Sequence, residues 1–339
     1  MGTENPHDMA AVIHVHSTYS DGTATVPEII EAAADAEADV VLLTDHDTLK
    51  ARKDGYEGWQ HGVLLLVGEE ISAGTGHLLA FGIEETVDGG GRTEEEICGA
   101  VVSAGGLGFP AHPPRDFDNW EATGLEIWSL VAEAASACRT PRQLVSFISR
   151  PEQSVAHPPQ RTLAEWDRLC QRRRTVAIGG LDAHQSGIRM PGGEVLSPMR
   201  NARFFRMLRT HLLCEHPPSG DLELDRDLVL RALREGRCYL GRDSLAATRG
   251  FRYYADGPDG FVPMGGESTA GDWTLHARLP FGGRIRLIRN GQQIHAVNAA
   301  SLDLEVDEPG VFRVEAELQA HGAYRTWIVS NPIYLRPAG

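Results

Sequence analysis

Several short segments of this chain combine ionisable side chains with a spacing that suits metal chemistry. His14-Val15-His16 closes an apolar run, and Asp21 follows in Ser20-Asp21-Gly22. Residues two apart on a strand point the same way, so both imidazoles would leave the strand end on one face, a natural start for a metal site. Two histidines on a solvated strand face are the plainer alternative. Thr44-Asp45-His46-Asp47 ends the run Val40-Val41-Leu42-Leu43. Asp47 has an ordinary alternative as the cap of a helix starting at Thr48, which leaves Asp45 and His46 unexplained. Gly68-Glu69-Glu70-Ile71-Ser72 follows the apolar run 63–67. Adjacent carboxylates there are costly if buried without partners; coordination would resolve that cost, and only one of the two can point inward.

Three further histidines and one aspartate complete the pattern. His77 opens the apolar stretch 78–81, His112 follows 107–111, and Asp182-Ala183-His184 ends a run that begins at Thr175. Each of these has a bland reading as a packed or solvated residue. Jointly they put a histidine or carboxylate at the C-terminal end of nearly every apolar run, which packing alone does not require.

The elements that must position these residues read as an alternation of strands and helices. Candidate strands are 11–15, 39–44, 63–67, 78–83, 106–109, 124–128 and 176–181. Thr25-x-x-Glu28, Thr93-x-x-Glu96, Thr140-x-x-Gln143 and Thr162-x-x-Glu165 read as capping boxes, with Pro141 at a first helical position. A further helix over 225–236 would have Asp225 as its N-cap. Strands separated by helices imply parallel pairing through right-handed crossovers, and roughly seven such units could close a barrel with its chemistry at the strand C-termini. After Leu240 helical periodicity ends. Short strands near 249–255, 273–279, 284–289, 302–306, 311–318 and 324–335, separated by Gly, Pro and Asp turns, suggest an antiparallel sandwich. The expected organisation is a barrel over 1–246 carrying the metal site and a β-sandwich over 247–339.

Composition narrows the partners. The 339 residues carry a net charge of −15, which argues against a nucleic-acid surface. A metal cluster can invert the local field, so an anionic small molecule remains compatible. Five scattered cysteines suggest neither a disulfide framework nor a cysteine-rich zinc site. The first eleven residues lack the apolar run of a signal peptide, and no run is long enough to cross a bilayer. A cytoplasmic location with no membrane partner is the expectation.

These motifs resemble the PHP family, named for polymerase and histidinol phosphatase. The matching segments are His14-Val15-His16-Ser17 with Ser20-Asp21-Gly22, Thr44-Asp45-His46-Asp47, Gly68-Glu69-Glu70-Ile71-Ser72, Gly76-His77, Ala111-His112-Pro113 and Leu181-Asp182-Ala183-His184. The resemblance implies a distorted (β/α)7 barrel and a trinuclear site. One metal would take His14, His16, Glu70 and Asp182; a second would share Glu70 and add His77 and His112; a third would take Asp21, His46 and His184. The family pattern selects Glu70 over Glu69. Leu233-Arg234-Glu235-Gly236-Arg237-Cys238-Tyr239, Arg289-Asn290-Gly291 and the segment 327–334 look like the CehA/McbA branch, as does Gly124-Leu125-Glu126-Ile127-Trp128, where the branch's usual asparagine is Ser129.

The implied activity is hydrolysis with a metal-bound hydroxide as nucleophile, since coordination can lower the pKa of water from 15.7 to about 7. Two or three divalent ions are expected, and imidazole with carboxylate suits zinc, manganese or iron. Three such ions against Asp21, Glu70 and Asp182 leave about +3, which favours a phosphate-containing ester. Phosphomonoesters or phosphodiesters rank first as substrates. A carboxyl ester or carbamate hydrolase with the same centre, and a non-catalytic metal-binding recognition module, are the alternatives. Asp45 and Glu69 are candidate partners of ligating histidines. Arg115 and Arg189 are candidates to meet a substrate oxyanion.

Overall fold

The computed structural model describes residues 5–74, 76–112, 121–137, 140, 155–184, 188–189, 195–196, 202–258 and 260–338. Arg115 and the helix start expected at Thr140-x-x-Gln143 with Pro141 lie outside this set, Thr140 apart. By its contacts the chain divides into two compact units that interleave in sequence. One comprises residues 10–155 and 179–210, the other 1–9, 156–178 and 211–339.

In the first unit, β1 (His7–Val15), β2 (Val40–Leu43) and β4 (Val63–Val67) pair in parallel, Ala11 opposite Val40 and Val40 opposite Leu64. All residues of β2 and β4 are buried, as unbroken Val/Leu runs in a parallel sheet require. β3 (Gly58–Gln60) closes the edge antiparallel to β4. Helix α1 (Val26–Asp35) begins at the expected capping box of Thr25 and Glu28, and buries Val26, Ile29, Ile30 and Ala33.

β5 (Glu69–Ala73), β6 (Gly76–Phe81) and β7 (Leu107–Ala111) form a separate antiparallel sheet. Parallel pairing throughout the strand–helix region therefore does not hold. Only residues 74 and 75 join β5 to β6, far fewer than a parallel crossover needs. Among the described residues the pairings do not close a seven-stranded parallel barrel. The Thr93 and Glu96 box starts α3 (Glu94–Ser103) as expected. β8 (Gly124–Ser129), buried along its whole length, leads into α4 (Leu130–Ala137).

The second unit is built on antiparallel sheet. β17 (Trp273–Arg289) is one strand where two were expected, with a register shift between Arg278 and Gly283. It pairs with β14 (Arg252–Gly257), β18 (Gln292–Val306) and β19 (Gly310–Ala320), and β19 pairs with β20 (Ala323–Ser330). Trp273, Leu275, Ala277 and Leu279 alternate inward along β17 to meet Phe312, Val314, Trp327 and Ile333, which is the expected C-terminal sandwich. Helix α5 (Gln160–Arg172) starts after Pro159, so Thr162 and Glu165 lie within it and form no capping box. Helix α6 (Ala202–Phe205) belongs to the first unit, and α7 (Leu222–Arg234), in the second, is capped by Asp221, four residues before the expected Asp225. Asp225 is instead buried and accepts from Ser219 N, Ser219 Oγ and Gly220 N. A buried polar network joins Asp8, His211 and Asp243. His211 Nδ1 lies 2.7 Å from Asp8 Oδ1, its Nε2 3.2 Å from Asp243 Oδ2, and its ring stacks on Tyr239, whose hydroxyl donates to Asp8.

Candidate metal centre

The metal-ligand candidates converge in the first unit, though not by the strand geometry that their spacing suggests. β1 carries a bulge at His14, whose backbone turns left-handed at φ 64°, and the strand ends at Val15. His14 and His16 therefore do not share a face through regular alternation. The bulge re-aims His14, and His16 follows beyond the strand, with the ring centroids 5.2 Å apart. His112 (φ 46°), Asp182 (φ 56°) and Asp47 (φ 51°) adopt the same rare conformation. Such backbones cost of order 1–3 kcal/mol each and persist only where the surroundings over-determine them. Here Ala183 N donates to His14 O and His16 N to Ala183 O, which ties the two His/Asp segments together.

Glu70 lies at the centre. Its Oε2 is 3.0 Å from both His14 Nε2 and His16 Nε2 and 3.7 Å from His46 Nδ1, and its Oε1 is 2.8 Å from His77 Nδ1. Asp182 Oδ1 is 3.4 Å from His14 Nε2 and 3.3 Å from His184 Nδ1, and its Oδ2 is 3.3 Å from His112 Nε2. Asp21 Oδ2 is 3.3 Å from His184 Nε2 and 3.8 Å from His46 Nε2. Four donor groups result, of which three are His14, His16, Glu70 and Asp182; His16, Asp21, His46 and His184; and His46, Glu70 and His77. The first is the set that the resemblance implies. The second adds His16 to an implied set. In the third, His46 stands where His112 was expected, because His112 turns to Asp182, and a fourth group gathers His112 with His14 and Glu126.

Burial grades outward. The His14 and His16 side chains are fully buried, whereas that of Asp21 is 56% exposed. Gly22 lets the Asp21 turn fold back, since a Cβ there would lie 2.3 Å from the His16 carbonyl oxygen. Burial would raise the Glu70 carboxyl, but His14, His16 and His77 override it and hold the group well below the carboxylate range. Asp182 is likewise held low, by His112, His14 and His184 against its burial. Burial opposes charge on His14, yet Glu126 and Glu70 on either side raise its pKa well above 6.5. His16 is lowered, chiefly by burial.

The donor set fits divalent cations. His16 Nδ1 and Nε2, His46 Nδ1 and Asp182 Oδ1 are buried without a hydrogen-bond partner. Buried polar atoms are ordinarily satisfied, and imidazole nitrogens facing carboxylate oxygens are what an ion such as zinc or manganese would join.

The neighbouring residues divide. Glu70 faces the imidazoles while Glu69, also buried, faces away: its Oε1 accepts from Val87 N at 2.8 Å. Asp45 acts on a turn rather than on an imidazole, since its carboxylate accepts from Ser17 N, Ser17 Oγ and Ser20 Oγ at 2.6–2.7 Å, beside Asp21. Asp47 caps no helix; it accepts from Ser72 N and Ser72 Oγ. Together with Glu70 N to Asp45 O and Asp47 N to Glu70 O, these bonds zip the His46 loop to β5. Arg189 lies in β10 (Ile188–Arg189), which pairs antiparallel with β11 (Val195–Leu196). The sequence reading missed Glu126, whose Oε1 is 2.8 Å from His14 Nδ1. The available signal was a lone carboxylate in the otherwise apolar strand Leu125-Glu126-Ile127-Trp128.

Residues 13–94 match the PHP domain family. Over 172 residues the chain is 28% identical to phosphoribosyl 1,2-cyclic phosphate 1,2-diphosphodiesterase of Eggerthella lenta; the match takes in 47% of this chain and spans 63% of that protein's length. Among solved structures, it is similar to a two-domain protein of Bacteroides vulgatus containing a predicted PHP-like metal-dependent phosphoesterase, with 12% identity, 97% of each chain covered and a TM-score of 0.42. A putative metal-dependent phosphoesterase of Bifidobacterium adolescentis is 18% identical over 57% of this chain and 94% of its own, with a TM-score of 0.33. No helix among the described residues is long and apolar enough to cross a membrane.

Proposed function

We propose that this chain is a metal-dependent phosphoesterase acting on a small phosphomonoester or phosphodiester. The observation that carries the proposal is the convergence of His14, His16, His46, Glu70 and Asp182, where buried atoms of His16, His46 and Asp182 have no hydrogen-bond partner. His14, His16, Glu70 and Asp182 would hold one ion, and His16, Asp21, His46 and His184 another. A third would lie against Glu70 with His77 and either His46 or His112. Bound divalent cations would supply electrophilic activation and a nucleophile from water near neutral pH.

The protein's own residues prepare that chemistry. Glu70 joins two of the donor groups, so a shift of β5 would disturb both. Asp45 holds the Ser17–Ser20 turn and thereby the exposed Asp21. His77 and His112 are partly exposed, at 39% and 32%, and stand where substrate would enter. The name of the Eggerthella relative, a phosphodiesterase, supports a phosphodiester. A distorted (β/α)7 barrel of PHP type over 1–246, the CehA/McbA branch, a cytoplasmic location and roles for Arg115 and Arg189 at a substrate oxyanion belong to the same proposal. The donor groups found among the described residues all precede residue 246, where the barrel is proposed to end.

Protein loaded separately with zinc, manganese or iron should hydrolyse p-nitrophenyl phosphate or bis-p-nitrophenyl phosphate. Chelation should abolish the activity and metal should restore it. Turnover of 1-naphthyl carbamates alone would overturn the phosphoester assignment.

A further inference from the structure

We infer that Glu126 is the positioning residue of the centre: one buried carboxylate holds the His14 ring by its Nδ1 edge and the His112 backbone by its N–H, leaving His14 Nε2 for an ion. The inference rests on the metal-binding part of the proposed function. Glu126 is only 1% exposed and is the one ionisable residue of β8, beside Leu125, Ile127 and Trp128 in sequence. A carboxylate in such surroundings is costly unless both oxygens find donors. Both do. Oε1 lies 2.8 Å from His14 Nδ1, and Oε2 accepts from His112 N at 3.2 Å. His14 and His112 are also two of the residues with left-handed backbones. The same side chain thus braces two strained positions, at the end of β1 and just beyond β7.

The opposite edge of the His14 ring carries the nitrogen that an ion would take. Nε2 faces Glu70 at 3.0 Å and Asp182 at 3.4 Å, the donor group in which an ion would sit. A histidine whose Nδ1–H is held by a carboxylate has its tautomer and ring plane set, and its basicity raised, before metal arrives. Glu126 also approaches His112 and His14 closely enough to be counted as a ligand itself. Its two oxygens, however, are already engaged by an N–H donor on each side, which is the arrangement of an orienting carboxylate.

Gly180 is the counterpart of this arrangement. A Cβ at that position would lie 2.0 Å from Glu126 Oε1 and 2.8 Å from the His14 Cβ, far inside contact distance. No other residue could stand there without displacing the carboxylate. Gly180→Ala therefore perturbs Glu126 without removing any ionisable group.

The test measures zinc affinity by competition with a chromophoric chelator, and zinc content per chain at saturation, in variants shown to be folded by circular dichroism. Glu126→Gln keeps the size but presents an amide to two donors. It should bind the same number of ions with affinity lower by roughly ten- to hundredfold, and Gly180→Ala should move in the same direction. Nitrogen-15 spectra of the zinc-loaded protein should show His14 with a protected Nδ1 proton that exchanges faster in Glu126→Gln, a change that a merely structural role would not produce. If Glu126→Gln does not fold, Glu126→Asp, which keeps the charge but is too short to reach both partners, should show the same loss. Affinities within twofold of wild type in the folded variants would overturn the positioning role while leaving the metal centre intact. Loss of one ion, with the others bound as in wild type, would also overturn it by making Glu126 a ligand. A wild-type protein that binds no divalent ion would overturn both this role and the proposed function.

Discussion

Replacing Glu69 by Gln should stabilise the protein at alkaline pH and change little in acid. The Glu69 side chain is fully buried, its Oε1 accepts from Val87 N, and its Oε2 has no hydrogen-bond partner. Burial, opposed by the Val87 hydrogen bond and assisted by the nearby charge of Asp47, pushes its pKa from 4.5 up to about 7. At about 1.36 kcal/mol per pH unit, that distance corresponds to about 3.4 kcal/mol. A carboxyl whose folded pKa exceeds its unfolded one contributes stability that is fully present below 4.5 and lost as pH rises through about 7. Between pH 5 and pH 8 the wild type should lose about 2.5 kcal/mol through this residue. Gln keeps an acceptor for Val87 N and cannot ionise, so the variant should escape that loss. Urea unfolding of both proteins in the presence of a chelator, at the two pH values, isolates the effect, because every other titrating group cancels in the difference. Parallel stability–pH profiles would refute the reasoning. A variant less stable than wild type at pH 8 would do so more sharply, since it would mean that ionised Glu69 is held by a charge and belongs among the ligands with Glu70.

Asp182→Asn should reduce turnover below detection and weaken metal binding, because one carboxylate shared by His14, His112 and His184 is lost. Asparagine tolerates the left-handed backbone, so circular dichroism should be unchanged; wild-type rates would contradict the role given to Asp182. In the second unit, burial opposes charge on His211, but its hydrogen bonds to Asp243 and Asp8 raise its pKa above 6.5, so its stabilisation is full below 6.5 and lost as pH rises through the folded value. Asp8 is held below 3.8 against its burial by His211, so its share is present above 3.8 and lost as pH falls through its folded value. His211→Gln should therefore cost about 3–5 kcal/mol near pH 6 and less near pH 9, read from urea midpoints; an equal cost at both would remove the ionic pair from the account.

How far the sequence could be read depended on how local the governing physics was. The runs Val40–Leu43 and Val63–Val67 became buried parallel strands because nothing but burial suits an unbroken aliphatic run. Thr25 and Thr93 became caps because the capping box is complete within four residues. Thr162 did not, because Pro159, with its fixed φ, starts the helix sooner. Parallel pairing failed at β5–β6–β7 because the connection of residues 74 and 75 leaves no length for a crossover.

The residue types and their positions at the ends of apolar runs were enough, by themselves, to select His14, His16, Asp21, His46, Glu70, His77, His112, Asp182 and His184 as metal-ligand candidates. Which of them face one another was decided only by the tertiary structure. The bulge at His14 and the left-handed backbones of His112 and Asp182 set the side-chain directions, and hydrogen bonds from distant segments hold those conformations against their local cost. The same physics separates Glu69 from Glu70 and brings Glu126 under His14, because the partner of a buried charge depends on what the rest of the chain delivers to it.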